Sequence, residues 1–267
     1  MKPSPILFAF LLLSVGRLFA QHPLTGTWEM ISIKGVNAAG EKFFNDTTTV
    51  REIKIITPTH YILIAQDVEN DSLVFNRCYA GTIRLDGDKY VEEPTLSSAG
   101  IFDNVKTDYT WKVQGDKFIQ SGTFTRPDGK KITLDEMVFR KVKTQQSYDA
   151  NPTNGAWELL TSSYTNVDGS KESYTNETAE CLNVITPTHW MYISCRDKKF
   201  ESAMGGTYTI KGNKYYPTLD YTSFPKNLLG KLELTEKIHG DKLYISGVSV
   251  YPDGKKLTWE DVFQKAE

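Results

Sequence analysis

Histidine and cysteine are scarce in this chain: four and three among 267 residues. No cluster of them has metal-ligand spacing, so a zinc site is not expected. There is no G-x-S-x-G elbow and no G-x-x-x-x-G-K loop, which removes the signatures of a nucleophile elbow and of a phosphate-binding loop. An excess of one charge is also missing. The 31 Lys and Arg stand against 33 Asp and Glu, with a pI near 6.1. That balance leaves no electrostatic footprint for nucleic acid or an anionic membrane. After residue 20 no segment is apolar enough to cross a bilayer.

What is present starts with a distinct leader. Lys2, the apolar run "ILFAFLLLSV" and the small residue Ala20 read as a secretory signal over residues 1–20, with processing before Gln21. The run is too short to span a membrane, Arg17 interrupts it, and no cysteine follows for lipid attachment. The expectation is a periplasmic or secreted protein with no integral membrane segment.

The rest is written twice. "LTGTWEMI" matches "TNGAWELL", placing Trp28 over Trp157. "IITPTHYILI" matches "VITPTHWMYI", and "AGTIRLDGDKY" matches "GGTYTIKGNKY". "RPDGKKIT" matches "YPDGKKLT", and "DEMVFRKV" matches "EDVFQKA". Five blocks in one order mark a tandem duplication of whole domains rather than a solenoid. The units run over 21–142 and 154–267, joined by a polar linker at 143–153 that carries Pro152.

Each unit reads as all-β. Tyr, Phe, Trp, Val, Ile and Thr fill short runs separated by turn residues. In the first copy strands are expected near 25–33, 51–57, 59–66, 77–85, 89–94, 106–114, 117–125 and 130–141. The stretches 34–50 and 164–178 are long and polar, with room for a short helix or a lid-like loop. Eight sequential antiparallel strands close most simply into an up-and-down barrel, which removes exposed edges and leaves room for side chains or one small ligand. A sandwich is the competing architecture.

Gly26-Thr27-Trp28 on a first strand, with Arg140 on the last, resembles the lipocalin pattern of G-x-W and a basic partner. Gly155-Ala156-Trp157 repeats it, with Gln264 at the place of Arg140 and Lys265 beside it. The resemblance implies two tandem lipocalin-like barrels of the secreted bacterial kind. It also implies that Trp28 and Trp157 plug the barrel bases under Arg140 and Lys265, and that the ligand is a small apolar or amphipathic molecule.

Candidates for chemistry are few. His60 and His189 occupy matched places, as ligand contacts, a haem ligand or an acid–base group, or else as structural residues of the "TPTH" turn. Ile53 and Ile55 alternate with Glu52 and Lys54, so the isoleucines are expected inside. Pairing about the turn then sends Tyr61, Leu63 and Ala65 inward and leaves His60, Ile62 and Ile64 as an outward apolar stripe, suited to the other barrel or a partner. Cys181 and Cys195 flank the second turn symmetrically, within reach of a disulfide. Cys78 reads as a half-buried thiol. The acidic pairs Asp135-Glu136 and Glu260-Asp261 alternate across a strand and make no carboxylate dyad.

Aromatic residues point to a cavity: Tyr61, Tyr79, Tyr90, Phe102, Tyr109 and Phe118 in one copy. In the other they are Trp190, Tyr192, Tyr208, Tyr215, Tyr221 and Tyr244. Tyrosine and tryptophan offer an apolar body with one polar handle. The expected ligand contacts are therefore His60, Tyr61, Tyr109, His189, Trp190, Tyr192 and Tyr208, the second barrel being the richer. No catalytic residue, metal or cofactor is assigned. The alternatives are a barrel-based isomerase, cyclase or hydrolase using His60 or His189, and an interaction module with filled barrels.

Overall fold

The computed structural model describes residues 23–98, 100–101, 107–126, 128–143, 150–212, 214–224 and 231–266. The predicted leader, Phe102 and most of the predicted linker lie outside the described residues. Among those described there is no helix.

The first unit comprises β1 (Gly26–Val36), β2 (Lys42–Asp46), β3 (Val50–Ile56), β4 (His60–Glu69) and β5 (Ser72–Asp86). It continues with β6 (Lys89–Ser97), β7 (Gly100–Ile101), β8 (Thr107–Gln114), β9 (Lys117–Thr125) and β10 (Lys131–Lys141). Strands β1, β3, β4, β5, β6, β8, β9 and β10 pair in sequence, and β10 returns to β1. The result is a closed eight-stranded antiparallel barrel rather than a sandwich. The polar stretch after β1 is neither helix nor loose lid: β2 folds back on the far half of β1, and β7 adds to β6.

The second unit repeats the plan. Its strands are β11 (Gly155–Thr165), β12 (Lys171–Thr175), β13 (Ala179–Ile185), β14 (His189–Arg196) and β15 (Lys199–Lys211). They are followed by β16 (Lys214–Pro217), β17 (Tyr221–Thr222), β18 (Lys231–His239), β19 (Lys242–Val250) and β20 (Lys256–Lys265). Strand β20 closes on β11, with β12 and β17 as the short additions.

Local chemistry sets the hairpins. Asn70-Asp71 and Asp197-Lys198 hold positive φ at both turn residues, the geometry that matches strand twist. The repeated "TPTH" closes a hairpin differently, through a three-residue link with no positive φ. Thr57 N donates to His60 O at 2.9 Å and Thr57 Oγ1 accepts from His60 N at 3.0 Å. Thr186 and His189 make the same pair of bonds at 2.8 and 3.1 Å. Proline sits at the turn, where its missing N–H costs nothing.

Register decides the faces, and it reverses one expectation. Ile53 lies opposite Ile64 and Ile55 opposite Ile62. All four belong to an apolar cluster outside the first barrel, together with Cys78, Ala80 and Leu96. Glu52 and Lys54, opposite Ala65 and Leu63, therefore point inside. Tyr61, Leu63 and Ala65 face the interior core, as the turn reading required.

The outer apolar face is covered by its own counterpart. Leu182, Val184, Met191, Ile193 and Ala203 of the second barrel complete the cluster. Phe75 stacks on the matching Phe200 with centroids 5.6 Å apart and planes 7° from parallel. Thr27 Oγ1 meets Thr186 Oγ1 at 3.0 Å across the seam. Equivalent faces meet as in an isologous dimer.

Candidate functional site

Each barrel is stoppered at one end by its tryptophan. Gly26 and Gly155 take φ of 131° and 133°, which side-chain-bearing residues rarely adopt, and they set the entry of β1 and β11. Trp28 Nε1 donates to Leu24 O and Trp157 Nε1 to Thr153 O, both at 2.7 Å. The cation over Trp28 is Lys141, with Nζ 5.4 Å from the ring centre. Arg140 stands one residue out of phase, opposite Glu29, with which it forms an exposed ion pair at 3.7 Å. Lys265 lies 5.6 Å from the Trp157 ring. The true counterparts are thus Lys141 and Lys265.

Above the Trp157 stopper the second barrel holds a cavity of about 420 Å³, a size suited to a small organic molecule. Trp190, Tyr192, Tyr215, Trp259, Ile185 and Phe263 supply apolar wall. Gly247 makes room for the Trp259 indole, since a Cβ there would stand 2.2 Å from its Cζ2. The polar lining is unmet by the protein itself. Asn183 Oδ1, Trp190 Nε1, Tyr215 Oη and Ser249 Oγ are buried without a hydrogen-bond partner in the chain. Each such group costs about 1–3 kcal/mol when left unsatisfied.

Two carboxylates also line this cavity. Asp261 is 8% exposed and accepts from Ser162 Oγ; burial pushes its carboxyl up to about 6. Glu236, two strands away in the same row and beside Thr153, is partly exposed, and burial pushes it up to about 7. At the open end Arg196 lies 3.8 Å over the Tyr174 ring and ion-pairs with Glu172 and Glu201.

The first barrel is filled differently. Lys54 Nζ, 1% exposed as a side chain, donates to Glu92 Oε1 at 2.6 Å and to Gln120 Oε1 at 3.3 Å. It lies 5.1–5.7 Å from the rings of Phe139, Tyr61 and Tyr90, a set of cation–π contacts. Arg77 Nη2 meets Glu52 Oε2 at 2.6 Å. The remaining space is about 260 Å³.

Of the residues expected to contact a ligand, Trp190 and Tyr192 line the second cavity, and Tyr61 and Tyr109 line the first. Tyr208 does not line it: its hydroxyl donates to Thr186 O at 2.6 Å and its ring stacks on Tyr215. His60 and His189 lie on the outer side of their strands, against the seam between barrels. Their Nδ1 atoms bond Thr59 Oγ1 and Thr188 Oγ1 at 2.7 and 2.9 Å. Burial pushes His189 down to about 4, against an opposing pull from Asp220. Neither histidine reaches a barrel interior, so both leave the list of barrel-ligand contacts.

The expected disulfide is also absent. The strands pair Cys181 with Ser194 and Cys195 with Glu180, so the two thiols project to opposite faces of the sheet. Cys181 packs inside the barrel, Cys195 in the seam, and both are free. Sequence reasoning placed none of Asp261, Glu236, Asn183, Trp259 and Lys54 in a barrel interior. The available signal was Ser162 with Asp261, a polar pair replacing the Ile33 and Met137 that face each other in the first copy.

No protein-family model and no curated protein matches the chain. Among solved structures, it resembles a protein of unknown function of the DUF3598 family from Nostoc punctiforme at 13% identity and TM-score 0.29. That likeness covers 91% of this chain and 96% of the other. The uncharacterized protein YLR301w from Saccharomyces cerevisiae gives 11% identity and TM-score 0.43, covering 87% and 83%. Kievitone hydratase from Nectria haematococca gives 11% identity and TM-score 0.23, covering 91% and 89%. At those scores the likenesses carry no argument about activity.

Proposed function

We propose that this is an exported, lipocalin-like protein that binds a small amphipathic molecule in its second barrel, the first barrel serving as a narrower partner that pairs its own interior charges. The observation that carries the reading is the cavity of about 420 Å³ with aromatic walls and four buried polar atoms that the chain leaves unpartnered. A ligand with an apolar body and a few polar atoms would satisfy both features at once. The G-x-W stopper under a cation in each barrel supports the lipocalin likeness, and the leader at 1–20 supports export.

Native mass spectrometry of the mature protein, purified from its own exported fraction and then offered a pool of amphipathic compounds, tests this. Retention of a defined molecule, lost in Ser249→Phe, is the expected result; that variant carries the bulk that Phe124 supplies in the first barrel. A bare mass with no uptake by the wild type would overturn the reading.

A second reading rests on the same cavity. Carboxyl groups held near neutrality are suited to proton transfer, so an acid–base enzyme would use Asp261 and Glu236 rather than the histidines. Turnover of the retained molecule, lost in Asp261→Asn, would favour it.

A further inference from the structure

We infer that the ligand of the second barrel is an organic cation: a molecule whose aromatic or apolar body packs among Trp190, Tyr192 and Trp259, and whose ammonium head is held by Asp261 and Glu236 with the Asn183 amide oxygen as a neutral acceptor. The inference rests on the binding reading above and names its chemical class.

Charge balance is the first argument. In the first barrel every interior carboxylate has its own cation: Glu92 has Lys54, and Glu52 has Arg77. In the second, Arg196 is engaged at the open end by Glu172 and Glu201. Asp261 has only the Ser162 hydroxyl, and Glu236 only the neighbourhood of Thr153. Neither has an ion-pair partner among the described residues. Charges withdrawn from water in proteins are paired or avoided, so two lone carboxylates lining one cavity, Asp261 buried and Glu236 partly so, mark a place for a positive charge supplied from outside.

The walls and the floor add independent arguments. Indole and phenol rings attract cations through their negative faces, and an aromatic cage with carboxylates is how quaternary ammonium groups are recognised. Asn183, 5% exposed, brings an acceptor oxygen without a partner to the cavity lining. An anionic amphiphile meets the opposite situation, facing two carboxylates with no free cation among the described residues to receive it.

The pH dependence follows. Asp261 faces Tyr164, Tyr192 and Cys181, all pushed upward by burial and neutral below pH 8. Tyr215, beside Glu236, behaves likewise. Glu172 is held low by hydrogen bonds from Tyr174 and Asn166 and stays ionised, with Arg196 opposite it. Over pH 5 to 8 the change inside the cavity is therefore ionisation of Asp261 and Glu236. A cation binds the ionised forms, so its affinity rises with pH.

The test is calorimetric titration of the whole mature protein with three benzyl probes: benzyltrimethylammonium, its carbon isostere neopentylbenzene, and the anion phenylacetate. A quaternary probe does not titrate, so any pH effect belongs to the protein. At pH 8 the cation should bind about tenfold or more tighter than the isostere, a difference of about 1.4 kcal/mol, and phenylacetate weakest. The advantage should shrink toward pH 5 and vanish in Asp261→Asn/Glu236→Gln, which keeps side-chain shape and should still take the isostere. Equal or tighter binding of the isostere or of phenylacetate at pH 8 would overturn the cation while leaving a binding barrel. If none of the three binds, the binding reading falls and the cation with it.

Discussion

In the first barrel Lys54 and Glu92 meet across the interior at 2.6 Å; the matching places in the second hold Asn183 and Pro217. Gln120 is answered by Ile245, and Arg77 with Glu52 by Ser202 with Cys181. Near the open end the cross-strand pair Gly35 and Leu134 becomes Tyr164 and Trp259. One backbone thus carries two interiors. The first closes its own charges and keeps about 260 Å³ of space, whereas the second gives up that network for about 420 Å³, aromatic wall and two carboxylates with no cation among the described residues. Duplication separates the tasks. Each copy covers the outer apolar face of the other, so the two share a seam while their interiors differ.

The largest effect should come from breaking the first interior. Lys54→Met leaves Glu92 buried and unpaired, which should cost about 3–5 kcal/mol in urea denaturation. Lys54→Met/Glu92→Leu should recover most of that loss, because an apolar pair of similar volume replaces a buried ion pair. A double variant as unstable as the single one would show that the network does more than balance charge.

Next in size are the pH effects that differ between regions. His189 is held down to about 4 from 6.5. Its contribution is therefore complete above pH 6.5 and lost as pH falls toward 4, a change on the order of 3 kcal/mol. His189→Gln should flatten this acid limb when melting temperature is followed against pH. Asp261 and Glu236 act in the opposite direction. Their folded values lie above their unfolded ones, so the empty protein loses stability as pH rises from about 4 to 7. Asp261→Asn should accordingly raise the melting temperature at pH 8, and a stability curve unchanged by it would argue against a lone buried charge.

Giving the second mouth the first barrel's residues, Tyr164→Gly/Trp259→Leu, should weaken ligand binding about tenfold through lost aromatic contact, worth roughly 0.5–1.5 kcal/mol per ring. Unchanged affinity would place the ligand elsewhere. The smallest effect concerns the stoppers. Lys141→Ala should cost about 0.5–1 kcal/mol, the value of an exposed cation–π contact, while Arg140→Ala should leave stability within error. The reverse ranking would restore the assignment read from sequence.

Much of the fold was legible because it repeats locally. Trp28 over Trp157, the two "TPTH" turns and the "DGK" turns reveal a duplicated all-β unit without any tertiary information. The candidate site was legible only in part. Trp190 and Tyr192 stood out as aromatics on the right strand, but Asp261 read only as one of two adjacent acids on opposite faces of a strand, and His60 and His189 drew attention that belonged to a turn. The cysteine pairing failed by one residue of register, enough to send Cys181 and Cys195 to opposite faces.

By itself the sequence determined that the chain is built from two related barrels of short antiparallel strands, since turn chemistry and strand propensity act over a few residues. Only the tertiary structure decided which side of β3 is inside. Alternation with a period of two divides a strand into two faces without saying which one is buried in the barrel. Here both faces are covered: Ile53 and Ile55 by the sister barrel, Glu52 and Lys54 by the interior. A charged residue can point inward when its partner, 38 positions away in the chain, is waiting there, and that pairing exists only once the barrel has closed.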